Sequence, residues 1–252
     1  MLTQEQIIFY KENGYLVVEG VFSNEEAQTF LGYIRRHANK DFAAIVNPDR
    51  FEALYDQDER PKSDITLEEI KQTAEFAEYA MKSPTIVEML EALHEKELVG
   101  LSSQFIFKEA HSPYCTQAWL PHQDGWYPRA KSGDYITANW FLREATVENG
   151  TIYVYPGSHT AGLLDAVPRK SFREDSDTSP GSECEIPEPF AGNKVDVEIP
   201  ANSVVFLNGY CIHGSYPNNS NKSRPWHSSC YITKGADYLV GANAKRKDIA
   251  LR

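Results

Sequence analysis

The sequence has no hydrophobic run long enough to cross a membrane and no apolar leader at its start. A membrane-spanning helix needs about 20 mostly apolar residues, and no stretch of the 252 residues meets that need. The opening MLTQEQIIFYKENGY is polar and typical of a helix rather than of a secretory signal. We therefore expect a cytoplasmic protein without a membrane partner.

Cysteine and positive charge are also scarce. The four cysteines show no Cys-x-x-Cys spacing, so free thiols in a reducing compartment are expected. Lys and Arg number 25 against 36 Asp and Glu, and the net charge of −11 disfavours a nucleic-acid partner. We therefore expect the binding partner to be a small-molecule substrate, and the protein to be a monomer or a homodimer.

Short β-rich segments bounded by Gly, Pro and Asn recur along the chain after residue 98. They span residues 98–108, 135–142, 151–155, 195–199, 203–207 and 227–233. Such punctuation predicts a sandwich or jelly roll rather than a βαβ fold. The earlier part is largely helical, with capping boxes at Thr3-x-x-Gln6 and Ser23-x-x-Glu26.

We predict a single domain over residues 1–252, mainly β with N-terminal helices. Residues 1–96 would form the helical support, and residues 97–235 the β core. A polar insertion interrupts that core at 165–194. It and the charged segment 39–64 are the candidates for closing over a site.

A metal-site pattern stands out in the β-rich part. His122-Gln123-Asp124 places two ligand types on one side of an extended segment, since side chains alternate with period two. His213 follows 89 residues after Asp124 and can supply a third ligand from a distant strand. Two imidazoles and one carboxylate form the facial triad of non-haem Fe(II) sites, which leaves positions open for a cosubstrate and O₂. For any lone histidine, a surface turn or a satisfied core position is the alternative.

A basic residue follows the distal histidine at a short interval. Arg224 lies eleven residues after His213, and a guanidinium can hold a carboxylate through two parallel hydrogen bonds. Lys222 is the weaker candidate because an ammonium acts as a point charge. The alternative for Arg224 is an ordinary surface arginine.

Two long stretches resemble the phytanoyl-CoA dioxygenase family: HQDGWYPRAKSGDYITANWFLREATVENGTIYVYPGSHTAG and LNGYCIHGSYPNNSNKSRPW. The elements in order are HQD, the ENG turn, PGSH, and HGS with the arginine beyond it. The resemblance implies a double-stranded β-helix (jelly-roll, cupin-like) that carries Fe(II) and uses 2-oxoglutarate and O₂. It implies that Ser215 joins Arg224 on 2-oxoglutarate. It also implies that Gln104, Gln123 and Trp140 line the cosubstrate pocket, with ordinary packing as the alternative.

The carboxylate of Asp124 bears on the type of reaction. By the same resemblance, halogenating relatives lack this carboxylate, so hydroxylation is expected here. Substrate contacts are the least specified part of the site. The expected contacts are Trp126, Tyr127, Arg129 and Lys108, with Arg129 or Lys108 meeting an anionic group. Half-buried aromatics and a solvated charged face are the alternative.

Three further functions stay open. The first is a 2-hydroxylase of acyl-CoA thioesters with the same mechanism, which the acidic composition disfavours. The second is a non-catalytic, cupin-like binding protein. The third is a jelly-roll hydrolase or isomerase loaded with zinc or nickel, for which Arg224 would have no role.

Overall fold

The structure, a computed structural model, describes residues 1–37, 45–46, 67–111, 115, 118–131, 133–168, 182–241 and 246–252. Most of the predicted 39–64 segment and residues 169–181 of the predicted insertion lie outside the described residues. The helices are α1 (Gln4–Asn13), α2 (Asn24–His37), α3 (Leu67–Lys82), α4 (Pro84–His94) and the short α5 (Glu188–Ala191). None of the helices in the described ranges is both long and apolar enough to span a membrane.

Both predicted capping boxes are confirmed. The Thr3 hydroxyl accepts a hydrogen bond from the Gln6 amide at 3.2 Å, and the Gln6 side chain accepts one from the Thr3 amide at 2.9 Å. Ser23 and Glu26 repeat this exchange at the start of α2. These side chains satisfy backbone donors that the first helical turn leaves unpaired.

The strands of the described residues pair antiparallel throughout. They are β1 (Tyr15–Val18), β2 (Ile45–Val46), β3 (Leu98–Lys108), β4 (Trp119–His122), β5 (Tyr135–Phe141), β6 (Ile152–Val154), β7 (Ala166–Pro168), β8 (Ser182–Cys184), β9 (Val195–Asp196), β10 (Ser203–Asn208), β11 (His213–Ser215) and β12 (Arg224–Thr233). The larger sheet has the order β1-β10-β5-β12-β3-β2, and the smaller has the order β4-β11-β6-β9. Strands β7 and β8 form a separate hairpin.

Side chains from both sheets meet in one buried cluster. Phe141, Val205 and Trp226 come from the larger sheet, and Ile152 and Val154 come from the smaller one. Two facing antiparallel sheets with a shared interior confirm the predicted class, mainly β with N-terminal helices in a cupin-like double-stranded β-helix.

The outer face of the larger sheet is covered by the helices. Phe30 of α2 is fully buried, with its ring centroid 5.1 Å from that of Trp140 on β5 and 4.8 Å from that of Phe105 on β3. Phe22 stacks on the same Trp140 ring at 3.9 Å. This aromatic layer fixes the sheet from behind and leaves its inner face for the site.

Phe30→Ala should lower the free energy of unfolding by about 3–5 kcal/mol, because the surrounding aromatic layer cannot collapse into the space left. Urea titration measures the change. Phe9→Ala is the matched control: the side chain of Phe9 is 39% exposed, so a loss of about 1 kcal/mol or less is expected. Equal losses in the two variants would contradict this account of the core.

Candidate metal centre and adjoining cationic pocket

The two predicted histidine ligands lie directly opposite each other on paired strands. Strand β4 ends at His122, strand β11 begins at His213, and the two residues are partners in the register. Asp124 follows β4 at the start of a 3-10 turn and points to the same side as His122. The two Nε2 atoms lie 3.6 and 3.7 Å from the Asp124 carboxylate oxygens. One ligand atom from each residue falls within 4.8 Å of the others.

Backbone carbonyls fix how the two imidazole rings are turned. His122 Nδ1 lies 2.7 Å from the Leu120 carbonyl oxygen, and His213 Nδ1 lies 3.0 Å from that of Cys211. A carbonyl oxygen only accepts, so each Nδ1 carries the proton and each Nε2 keeps its lone pair. Both free lone pairs point toward Asp124, which is the tautomer that binds a metal ion.

Electrostatics favour the charge states of Asp124 and His213 that a cation requires. Burial alone would raise the pKa of the Asp124 carboxyl, but His213, His122 and a hydrogen bond from Thr137 lower it overall. Burial lowers the pKa of His213, against the opposing charge of Asp124. A neutral imidazole facing an ionised carboxylate can hold a divalent ion.

Arg224, at the start of β12, is fully buried rather than a surface arginine. Its guanidinium carbon lies 4.1 Å from the centroid of the Trp226 ring, so the aromatic face covers one side of the cation. Within the described part of the chain, all three guanidinium nitrogens lack a hydrogen-bond partner. Burial lowers the pKa of the group to about 9, which leaves it charged at neutral pH. Buried charges are almost always paired in folded proteins, so the arrangement fits an anionic ligand.

Lys108 is the direct strand partner of this arginine, and Ser215 contacts Lys108. Lys108 is 2% exposed, and its ammonium donates a hydrogen bond to the Ser215 hydroxyl at 2.8 Å. We expected Lys108 at the substrate entrance; instead, it lies inside the β core. Gln104, four residues earlier on β3, shares the inner face of that strand and is half-buried opposite Ser228.

Gln123 is not available to line the pocket as predicted. Its amide nitrogen donates to the carbonyls of Gly162 at 2.8 Å and Tyr210 at 2.7 Å, and its amide oxygen accepts from the Leu164 amide at 2.8 Å. Both donor hydrogens are therefore used by backbone. Gln123 ties the loops behind the metal ligands together, because alternation turns it away from the side that His122 and Asp124 share.

Trp140 is on the wrong face of its strand for the predicted pocket role. On β5, Thr137 faces Asp124, and Phe141 lies in the cluster between the sheets. Trp140 points the other way and stacks on Phe22 and Phe30 under the helices. Its ring therefore contributes to the outer core, on the side of the sheet opposite the metal ligands.

The aromatic residues after the HQD motif divide between the site and the surface. The Tyr127 ring centroid lies 6.2 Å from that of His122, and its hydroxyl accepts a hydrogen bond from the Ser182 amide at 3.1 Å. The Arg129 side chain is exposed and lies over the Trp126 ring, 4.1 Å from its centroid. Tyr127 therefore links the site to the β7–β8 hairpin of the insertion.

Two residues that contribute to the site were not identified from the sequence. Thr137 faces Asp124 from inside a strand and helps to lower the pKa of its carboxyl, and Ser182 donates a hydrogen bond to the Tyr127 hydroxyl from the insertion. The period-two pattern of β5 could have placed Thr137 on a defined face once the phase of the strand was known. No local signal in the polar insertion distinguishes Ser182.

Comparison with known proteins agrees with the site geometry. The model of the family "Phytanoyl-CoA dioxygenase (PhyH)" matches residues 10–226. The rat phytanoyl-CoA dioxygenase domain-containing protein 1 is 31% identical over 145 residues, which cover 56% of this chain and 47% of that protein. The chain thus spans about half the length of that relative. The rat peroxisomal phytanoyl-CoA dioxygenase is 23% identical, with 99% of this chain and 74% of that protein covered.

Solved structures share the fold at low sequence identity. The epimerase SnoN in complex with Fe³⁺, alpha-ketoglutarate and nogalamycin RO superposes with a TM-score of 0.68 at 20% identity, covering 99% of this chain and 95% of that chain. EvdO2 from Micromonospora carbonacea, complexed with 2-oxoglutarate, gives 0.66 at 16% identity, with coverages of 96% and 94%.

His213→Ala should weaken Co²⁺ binding, measured by calorimetry, because one of three ligand atoms is lost. The loss should exceed the roughly 10–100-fold that removal of a partner behind a ligand causes. His159→Ala is the matched control, since the His159 ring lies 3.0 Å from the Lys11 carbonyl and outside the three-residue cluster. Unchanged Co²⁺ affinity in the His213 variant would contradict the metal site.

Proposed function

Because the chain belongs to the phytanoyl-CoA dioxygenase family, we propose that it is an Fe(II)- and 2-oxoglutarate-dependent dioxygenase. The proposed reaction hydroxylates a C–H bond of a small polar or anionic metabolite and releases succinate and CO₂. The observation that carries this proposal is the fully buried Arg224, unpaired among the described residues, in the same core as a three-ligand metal cluster. A metal site alone would need no such cation.

His122, Asp124 and His213 would hold the iron. Two neutral imidazoles and one carboxylate supply a single negative charge against the two positive charges of the ion, and a facial set leaves positions open. When bound there, Fe(II) with 2-oxoglutarate supplies the activation of O₂ that C–H oxidation requires. The carbonyls of Leu120 and Cys211 keep both imidazoles in the ligating tautomer.

Arg224 and Ser215 would hold the far carboxylate of 2-oxoglutarate. The guanidinium offers a planar set of donors that matches a carboxylate, and the Trp226 ring holds that plane in position. The donors have no other acceptor in the described part of the chain. A carboxylate there would satisfy a buried charge that otherwise destabilises the fold.

Tyr127 would exclude water on the substrate side. Its ring lies beside His122, and Ser182 of the insertion hairpin holds its hydroxyl. Closing an oxidising site to solvent limits side reactions. Trp126 and the exposed Arg129 would then form the outer rim, where an anionic group of the substrate can meet a cation.

The alternative substrate class is an acyl-CoA thioester. The printed name of the rat peroxisomal relative favours it, whereas the net charge of −11 disfavours a surface for the CoA phosphates. A screen for substrate-dependent succinate release, with small polar metabolites in one arm and acyl-CoA thioesters in the other, separates the two.

The four free cysteines support a reducing compartment, which we propose is the cytoplasm. We also propose that residues 1–252 form one domain.

Anaerobic titration with Fe(II) and then with 2-oxoglutarate tests the proposed function directly. A weak visible charge-transfer band that needs both additions is expected. A binding protein without a metal, or a zinc or nickel enzyme, would give no such band.

His122→Ala and Asp124→Ala should each abolish substrate-dependent succinate release, because either change removes a metal ligand. Succinate is quantified after incubation with Fe(II), 2-oxoglutarate and the substrate found in the screen. His159→Ala should retain turnover. Normal succinate release in either ligand variant would sink the iron assignment.

Arg224→Lys should raise the KM for 2-oxoglutarate at least about tenfold, because an ammonium cannot reproduce two parallel hydrogen bonds to a carboxylate. The steady-state rate of succinate formation gives the value. Lys222→Met is the control, since Lys222 is exposed and paired with Glu144 at 2.9 Å. An unchanged KM in the Arg224 variant would move the anchor to another residue.

A further inference from the structure

Lys108 is a buried cation whose role the proposed function does not assign. It is the last residue of strand β3, and it is only 2% exposed. Its ammonium donates to the Ser215 hydroxyl at 2.8 Å and also to the Tyr216 carbonyl oxygen. The Asn218 side chain donates to the Lys108 carbonyl at 2.7 Å and fixes the backbone there. The ammonium is therefore held inside the core.

Strand pairing brings Lys108 and Arg224 together. The two residues are direct partners in the register of β3 and β12, and direct partners of antiparallel strands point to the same side. Burial, reinforced by the charge of Arg224, lowers the pKa of Lys108 well below its ordinary value. Two basic side chains thus share one water-poor space, and in the described residues no carboxylate forms a salt bridge with either.

A role in folding alone explains this arrangement poorly. A methionine would occupy a similar volume without the cost of burying an ionisable group that has no carboxylate partner among the described residues. The two hydrogen bonds of Lys108 position Ser215 and Tyr216, but both acceptors are neutral and neither balances a positive charge. A buried pair of like charges is understandable where an anionic ligand completes it.

We propose that Lys108 is the second cationic anchor for the far carboxylate of the dicarboxylate cosubstrate. This inference rests on the proposed function and deepens it. The guanidinium would take one edge of the carboxylate, and the third ammonium hydrogen, which neither Ser215 nor Tyr216 accepts, would reach another lone pair. Lys108 is thereby assigned to the cosubstrate rather than to the substrate.

Lys108 also positions Ser215 for the same carboxylate. Because the Ser215 oxygen accepts from the ammonium, its own hydrogen is directed elsewhere and is free to donate. The pocket thus offers three kinds of donor: guanidinium, ammonium and hydroxyl. Such a set selects a dicarboxylate over a 2-oxo acid with an apolar end, since an apolar end would leave the buried donors unpaired.

The test compares two ligands on the Co²⁺-loaded protein without O₂. One is 2-oxoglutarate, and the other is 2-oxovalerate, in which a methyl group replaces the far carboxylate. Lys108→Met should weaken 2-oxoglutarate binding about 10- to 100-fold, the effect of losing one hydrogen bond to a charged group. Its affinity for 2-oxovalerate should stay within about threefold of the wild-type value. Calorimetry gives both affinities.

Thermal unfolding of the ligand-free protein supplies a second readout. The anchor role predicts a Tm for Lys108→Met close to the wild-type value, because removal of the repulsion from Arg224 offsets the loss of the hydrogen bonds to Ser215 and Tyr216. A scaffold role predicts a lower Tm, with both ligands weakened alike. Lys108→Gln keeps a donor toward Ser215 without the charge and serves if the Met variant does not fold. Lys222→Met, an exposed lysine, is the matched control and should change neither readout.

The outcomes separate the two proposals. A Lys108→Met protein that binds 2-oxoglutarate as tightly as wild type, or loses both ligands equally, overturns the second anchor alone. If wild-type protein binds 2-oxoglutarate no better than 2-oxovalerate, both the anchor and the proposed cosubstrate fail. Selective loss of 2-oxoglutarate in the Met and Gln variants, with wild-type behaviour in Lys222→Met, supports the anchor.

Discussion

The pairing of β4 with β11 is the constraint on which the site depends. These strands are four and three residues long, yet their register places His122 directly opposite His213 on the neighbouring strand. The separation of the two imidazoles follows from the spacing of antiparallel strands rather than from side-chain packing. Asp124 then needs only the next turn to reach both rings. Distant parts of the sequence therefore form one ligand set through backbone hydrogen bonds.

The larger sheet separates stability from chemistry by face. Its outer face carries Phe105, Trp140 and His227, packed under Phe30. The inner face carries Arg224 and Lys108 beside apolar neighbours such as Trp226 and Phe141. The apolar outer layer offsets the free-energy cost of burying charge inside. A site of this kind depends on a sheet that is anchored from behind by helices.

The class of fold and the metal ligands could be predicted from the sequence, because both depend on residue types and spacings that are visible in the sequence itself. The 98–108 strand was predicted with its bounds as the structure has them. Strands β4 and β11 were missed because each is short and lacks a run of β-branched residues: β4 (WLPH) contains a proline, and β11 (HGS) contains a glycine. The resemblance placed Trp140 in the pocket, and the strand pattern could not correct that placement because every residue of β5 is buried. A strand buried on both faces shows no alternation from which to read its phase. The pocket role expected for Gln123 was wrong although the pattern was readable: alternation from His122 places the Gln123 side chain on the side opposite the metal ligands.

Local charge, rather than net charge, governs what such a pocket can bind. The chain carries −11 overall, which would repel a dianionic cosubstrate at long range, but salt screens that field within about 8 Å under physiological conditions. Inside the β core, screening is weak, and Arg224 and Lys108 act at short distance in a medium of low polarity. The same reasoning applies to the substrate: the acidic composition limits extended phosphate-binding surfaces, whereas a single anionic group can still be met by one cation. The exposed Arg129, whose guanidinium lies over the Trp126 ring, is the cation that we propose for this contact.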